Sequence, residues 1–167
     1  MSQKVLIAYA TRAGSTGEIA KEIGDVLIAK GFAVDVVPVR KVRDLSPYRA
    51  VIVGSAVRMG KWQPEAVKFV AHNKTRLGEI PTAFFTVCLT AKDKTDEACE
   101  KVSAFLGPVR ATHRPDLEGV FAGRIDLAKL GFIARMMAKA TKSPEGDFRD
   151  HDAIRAWAEE AVTKLNL

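Results

Sequence analysis

The chain has 167 residues, 47% of them hydrophobic and 28% charged, a composition that excludes a disordered segment and suits one compact domain over 1–167. No apolar run approaches the roughly 20 residues of a bilayer span; no basic stretch followed by a long apolar run marks a secretory signal, so the expected compartment is the cytoplasm. The formal charge of +6 favours anionic partners, while two cysteines (Cys88, Cys99) and three scattered histidines (His72, His113, His151) match no disulfide framework or zinc motif.

The elements alternate along the chain. Lys4 to Tyr9 (KVLIAY) reads as a strand buried on both faces. After a loop of small residues, Ile19, Ala20, Ile23, Val26 and Leu27 recur at helical spacing, and Gly31 is a natural stop. Val34 to Val39 and Ala50 to Gly54 are the next strands. Pro64 opens a helix whose buried face carries Ala66, Val67, Val70 and Leu77. Thr82 to Cys88 is a fourth strand, and Ala98, Val102, Phe105 and Leu106 mark the following helix. Leu117 to Gly123 is a fifth strand. A helix-like stretch runs from Leu127 to about Ala140, and Pro144 and Gly146 end it. Ile154, Trp157, Ala158, Ala161, Val162 and Leu165 give the last helix.

Strands alternating with helices predict a parallel sheet covered on both faces, an α/β three-layer sandwich. The extra element is an insert of about 124–146 between the fifth strand and the last helix. Between Arg124 and Lys142 it holds five basic residues and one acidic residue, Asp126.

In open parallel sheets ligands bind beyond the carboxyl ends of the strands. The first such loop is Thr11-Arg12-Ala13-Gly14-Ser15-Thr16. A helix N-terminus offers unpaired N–H groups and partial positive charge, Gly14 lets the backbone wrap closely around an anion, and the hydroxyls add donors, so a phosphate is its natural guest. From this loop alone, a capped helix without a ligand is an equal alternative. No Gly-x-x-x-x-Gly-Lys loop and no Gly-x-Gly-x-x-Gly follows the first strand, which disfavours an NTPase and a dinucleotide fold. Strand ends Tyr9-Ala10 and Gly54-Ser55 lack the acidic residues of a phospho-acceptor domain. The second loop, Gly54 to Trp62, can lie against a flat ring with Trp62 near one face, or Trp62 can staple the next helix to the body. Arg58 is either a surface charge or a contact for an anionic substrate. The third starts at Thr86; Cys88 reads as a buried small hydrophobe rather than a redox thiol.

These loops resemble those of flavodoxins. TRAGST is similar to the phosphate fingerprint Thr-x-Thr-Gly-x-Thr, with Ala13 in place of the middle threonine. Gly54 to Gly60, Thr75-Arg76-Leu77 and Pro81 to Phe84 resemble stretches of the menaquinone-dependent protoporphyrinogen dehydrogenases, which also carry a segment before the last helix. The resemblance implies a flavodoxin-like fold with strand order 2-1-3-4-5 and FMN as cofactor. It places the phosphate on Thr11, Arg12, Ala13, Gly14, Ser15 and Thr16. It places the ring on Ser55, Ala56, Val57, Arg58, Met59, Gly60, Lys61 and Trp62, and on Val87, Cys88, Leu89 and Thr90.

The leading expectation is an FMN-dependent oxidoreductase acting on a porphyrinogen or a quinone in haem biosynthesis, with no catalytic side chain named because the cofactor does the chemistry. The alternative is an electron-transfer flavodoxin without its own substrate; a basic chain with no aromatic between Thr86 and Phe105 departs from that pattern. A domain without flavin is a third option. The insert face of Leu127, Leu130, Ile133, Ala134 and Met137 either meets a quinone or the inner face of the membrane through Leu127–Lys142, or packs on its own domain. Nucleic acid is suggested by charge alone and has no supporting motif. A homodimer is open.

Overall fold

The computed structural model describes residues 4–11, 14–125, 131–140 and 146–167. Five parallel strands form the sheet: β1 (Lys4–Ala10), β2 (Val34–Pro38), β3 (Tyr48–Arg58), β5 (Thr82–Val87) and β6 (Leu117–Phe121), in the order β2-β1-β3-β5-β6. This is the expected 2-1-3-4-5 arrangement, with one short antiparallel strand, β4 (Lys61–Trp62), added beside β3.

Successive side chains of a strand point to opposite faces, and both faces of β1 are apolar. Val5 and Ile7 join the core under α1 (Ser15–Ala29) and α6 (His151–Lys164), with Ile19, Ile23, Leu27, Phe85 and Trp157. Leu6 and Ala8 join the opposite core, with Val53 and Phe84, under α2 (Pro64–His72), α3 (Lys74–Leu77) and α4 (Asp96–Thr112). The strand order reverses between β1 and β3, so the loops leaving their carboxyl ends diverge and open a crevice.

Three boundaries differ from the pattern reading. The helix after Pro64 breaks at Asn73, whose side-chain amide donates to the Phe69 carbonyl at 2.8 Å, and α3 follows as a separate turn. Helix α4 continues through Pro108 to Thr112. Strand β3 runs past Gly54 to Arg58, because Ser55 and Ala56 still pair with Thr86 and Val87 of β5. The stretch expected as a second loop is therefore a β-hairpin.

The insert begins as β7 (Arg124–Ile125), which pairs antiparallel with β8 (Gly146–Asp147). Between them lies α5 (Phe132–Ala140). Leu127 and Leu130, expected on its apolar face, and the stretch from Asp126 lie outside the described residues. Phe132 and Ile133 of α5 are 75% and 72% exposed, and Met136 and Met137 are also open to solvent. Of the face expected to be apolar, Ile133 and Met137 have described side chains, and both are exposed. Among the described residues no helix is long and apolar enough to cross a membrane.

Candidate functional site

The three expected segments leave the sheet at one edge. Ala10 pairs with Ser55, and Ser55 pairs with Thr86, so the stretches that follow start side by side.

Thr11 bends the first segment: its hydroxyl accepts from the Gly14 N–H at 3.0 Å. Arg12 and Ala13 lie outside the described residues. Gly14 caps α1 at φ +94°, a left-handed conformation that glycine adopts without a steric penalty. Among the described residues no side chain caps this helix end, and the N–H groups of its first turn have no intrahelical acceptor. Ser15 and Thr16 are buried, and Thr16 Oγ1 has no hydrogen-bond partner among the described residues. An unpaired buried hydroxyl costs about 1–3 kcal/mol, so this turn is a polar site that wants completion. Gly123 closes one side. A Cβ there would sit 3.0 Å from Ser15 Oγ and 2.9 Å from Val87 Cγ1, so the chain leaving β6 passes against the turn only as glycine.

The hairpin is locked from beneath. Ser55 Oγ accepts from the Gln63 N–H at 2.9 Å and donates to the Ala56 carbonyl at 2.8 Å. Trp62 is buried; its Nε1–H donates to Thr86 Oγ1 at 2.9 Å, and its ring meets Phe84 edge-on at 5.3 Å. The indole therefore staples the hairpin to the core. Ala56 and Val57 continue the strand, half-buried. The turn itself is Met59-Gly60, with φ +51° and +73°, as a two-residue type I′ hairpin requires. Arg58, Met59 and Lys61 are exposed, Met59 by 85%.

In the third segment Val87 and Cys88 are buried, and Leu89–Lys92 form a short 3-10 turn with Leu89 and Thr90 half-buried. The Cys88 N–H donates to the Phe121 carbonyl at 3.1 Å. Burial pushes the Cys88 thiol pKa up, which suits a packing residue and not a thiolate nucleophile.

One feature had no sequence signal. Glu18, on the first turn of α1, receives Arg124 at 2.6 Å and Arg149 at 2.7 Å, and Arg149 also pairs with Asp147 at 2.7 Å. The Phe148 N–H donates to the Gly123 carbonyl at 3.2 Å. Both ends of the insert are thus tied to the helix that begins at Gly14. The Arg149 side chain holds the Asp147 carboxyl well below the usual carboxylate range. A carboxyl whose pKa is depressed by folding stabilises the fold above its unfolded value of about 4 and loses that contribution as the pH falls through the folded value. Acidification from about pH 5 to about pH 2 is expected to loosen the base of the insert before the sheet. Amide exchange of Phe148 should rise relative to the β3 amides; a constant ratio would contradict this.

The fold is shared with known proteins. A flavodoxin-domain family model matches residues 6–152. A protoporphyrinogen IX dehydrogenase (quinone) of Escherichia coli strain K12 is 30% identical over 152 residues, covering 88% of this chain and 83% of the relative. A protein of the same name from Leishmania major is 28% identical over 142 residues, covering 81% of this chain and 61% of the relative. Among solved structures, an archaeal flavodoxin superposes with TM-score 0.57 at 16% identity, covering 99% of this chain and all of that one. A flavodoxin of Streptococcus pneumoniae TIGR4 gives 0.55 at 21% identity, covering 96% and 98%. These structural likenesses bear on the fold alone.

Proposed function

The chain belongs to the flavodoxin-domain family, a family of FMN-binding flavoproteins, and from that premise we propose that it is an oxidoreductase moving electrons from a porphyrinogen to a quinone. The observation that carries the anion end of this reading is Thr16, a buried hydroxyl at a helix N-terminus with no partner and no side-chain cap among the described residues. A phosphate accepts from such a hydroxyl and from the first-turn N–H groups together. The close pass of Gly123 supports the same fit, because a side chain there would fill the cradle.

In this reading the phosphate rests on Thr11, Gly14, Ser15 and Thr16, with Arg12 and Ala13 completing the loop. The ring edge meets the backbone of Met59 and Gly60 and that of Cys88, Leu89 and Thr90. Ser55 and Trp62 act from below by holding the hairpin in place. FMN supplies the electron chemistry when bound. The chain binds it, orients it and excludes water from its inner side. No side chain needs to act as a general acid or base. The substrate pair is taken from the relatives' name, protoporphyrinogen IX dehydrogenase (quinone).

The insert belongs to the same domain in this reading and meets the quinone-bearing membrane surface. The exposed apolar row Phe132, Ile133, Met136 and Met137 lies beside Arg135 and Lys139, a pattern suited to an interface. Phe132→Ser combined with Ile133→Ser is expected to leave the fold and FMN binding intact. It should slow turnover with a vesicle-embedded quinone by roughly a hundredfold while sparing a water-soluble quinone, since two buried apolar side chains are together worth about 3 kcal/mol or more. Equal loss with both quinones, or no loss with either, would remove the membrane role.

A further inference from the structure

The hairpin tip carries an unresolved electrostatic conflict. Arg58 and Lys61 are direct cross-strand partners beside the Met59-Gly60 turn. Opposed residues of an antiparallel pair share one face with Cβ atoms roughly 5 Å apart, and like charges there repel. Neither cation has a carboxylate partner among the described residues, whereas Lys21, Arg76 and Lys101 each pair with a carboxylate three or four residues away in sequence. Met59, between them in sequence, holds a left-handed backbone conformation that a non-glycine residue adopts at some cost, and it exposes nearly its whole apolar side chain.

A flexible tip would relieve both tensions by fraying. This one is fixed at several points. Ser55 and Trp62 lock it from the core side, and Gly60 sits against Phe105 of α4, with a Cβ there only 3.3 Å from the ring. The fold therefore holds two like charges with no carboxylate partner among the described residues, and an exposed methionine, together at the sheet edge beside the start of α1.

We propose that Arg58 and Lys61 form a carboxylate clamp for the substrate, with Met59 as the apolar contact between the acid group and the body of the molecule. The ligand class is a flat apolar molecule bearing a carboxylate side arm, which a porphyrinogen propionate satisfies. One carboxylate accepts from the Arg58 guanidinium and the Lys61 ammonium at once, and its charge cancels their repulsion. This rests on the oxidoreductase reading above, and it names specificity residues for that site, not catalytic ones.

The test uses the FMN-loaded protein at saturating FMN. Mesoporphyrin IX and its dimethyl ester are redox-inert probes of the same shape that differ in their carboxylates. Binding is read from quenching of flavin fluorescence, and turnover is measured separately with the porphyrinogen. The parent protein should bind the diacid at least tenfold tighter than the ester. Arg58→Gln and Lys61→Gln should each weaken the diacid by about tenfold and the ester by less than twofold. Lys61→Glu should weaken the diacid further, and raised salt should abolish the difference between probes. For turnover, KM should rise with kcat held. Equal affinity of the two probes in the parent protein, or equal weakening of both in the variants, overturns the clamp. If the porphyrin binds with this Arg58 and Lys61 dependence but no turnover follows, the clamp stands and the oxidoreductase reading fails. If turnover proceeds with KM unchanged in the variants, the clamp alone fails.

Discussion

Ser15→Glu is expected to lower FMN affinity by about a thousandfold, since two like charges about 4 Å apart at an effective dielectric near 20 repel by about 4 kcal/mol. Ser15 sits at the first position of α1, buried against Gly123, so a carboxylate there stands where the phosphate must rest. An acidic residue at a helix N-terminus complements the helix dipole, which offsets part of the cost of placing a charge at this buried position. Thr16→Val is the companion, because it changes no volume. Removing an unpaired buried hydroxyl should stabilise the flavin-free protein by about 1 kcal/mol. Losing a hydrogen bond to a charged phosphate should weaken FMN by about ten- to a hundredfold. The opposite signs are the signature. Thermal melts without FMN and fluorescence titrations with it read the two effects separately. Retained stoichiometric flavin in Ser15→Glu would remove the phosphate assignment, and a Thr16→Val protein weakened in both measurements would make Oγ1 a structural group.

Gly54→Ala is expected to be the most damaging of the small changes considered. Gly54 pairs with Phe85 across the two central strands, and a Cβ on it would lie 1.9 Å from Phe85 Cζ. The ring is fully buried among Trp157 and Phe121, with no room to swing. Overpacking of this kind costs about 3 kcal/mol or more, which for a chain of this length lowers Tm by roughly 10 °C. Phe85→Leu in the same protein should recover part of the loss, since the two sites share one space. Gly107→Ala on α4 is the control: nothing lies near its Cβ, and the change should stabilise the helix by about 1 kcal/mol. A Gly54→Ala protein that melts with the parent would show that β3 and β5 do not pack as described.

The fold was legible because the strands that matter are buried on both faces. Runs such as Lys4–Ala10 and Thr82–Val87 read as parallel-sheet strands without further information. Hydroxyls and glycine at the first strand-to-helix junction pointed equally to an anion and to a plain helix cap, and what sequence could not show is that among the described residues Thr16 Oγ1 has no partner. The hairpin was not, because Ser55 and Ala56 look like loop residues until the pairing of β5 fixes them as strand. Trp62 had two readings in sequence, and its bond to Thr86 joins residues 24 apart that no spacing rule connects. Glu18 lies more than a hundred residues from both arginines it holds, so no spacing rule joins them. The opposition of Arg58 and Lys61 depends on a turn of two residues whose left-handed conformation Met59 does not advertise.

The proposed activity requires FMN at the turn from Thr11 to Thr16 and the hairpin from Ser55 to Trp62. Titrating flavin-free protein with FMN, followed by anaerobic reductive titration of the complex, tests this most directly. The expected result is one FMN per chain, with flavin absorption bands shifted from those of the free cofactor, reduction in one two-electron phase, and reoxidation by quinone. A spectrum identical to free FMN, with cofactor and protein separating on gel filtration, would contradict the binding site. Two well-separated one-electron phases with no reoxidation by quinone would leave a flavodoxin that carries electrons and contradict the oxidoreductase.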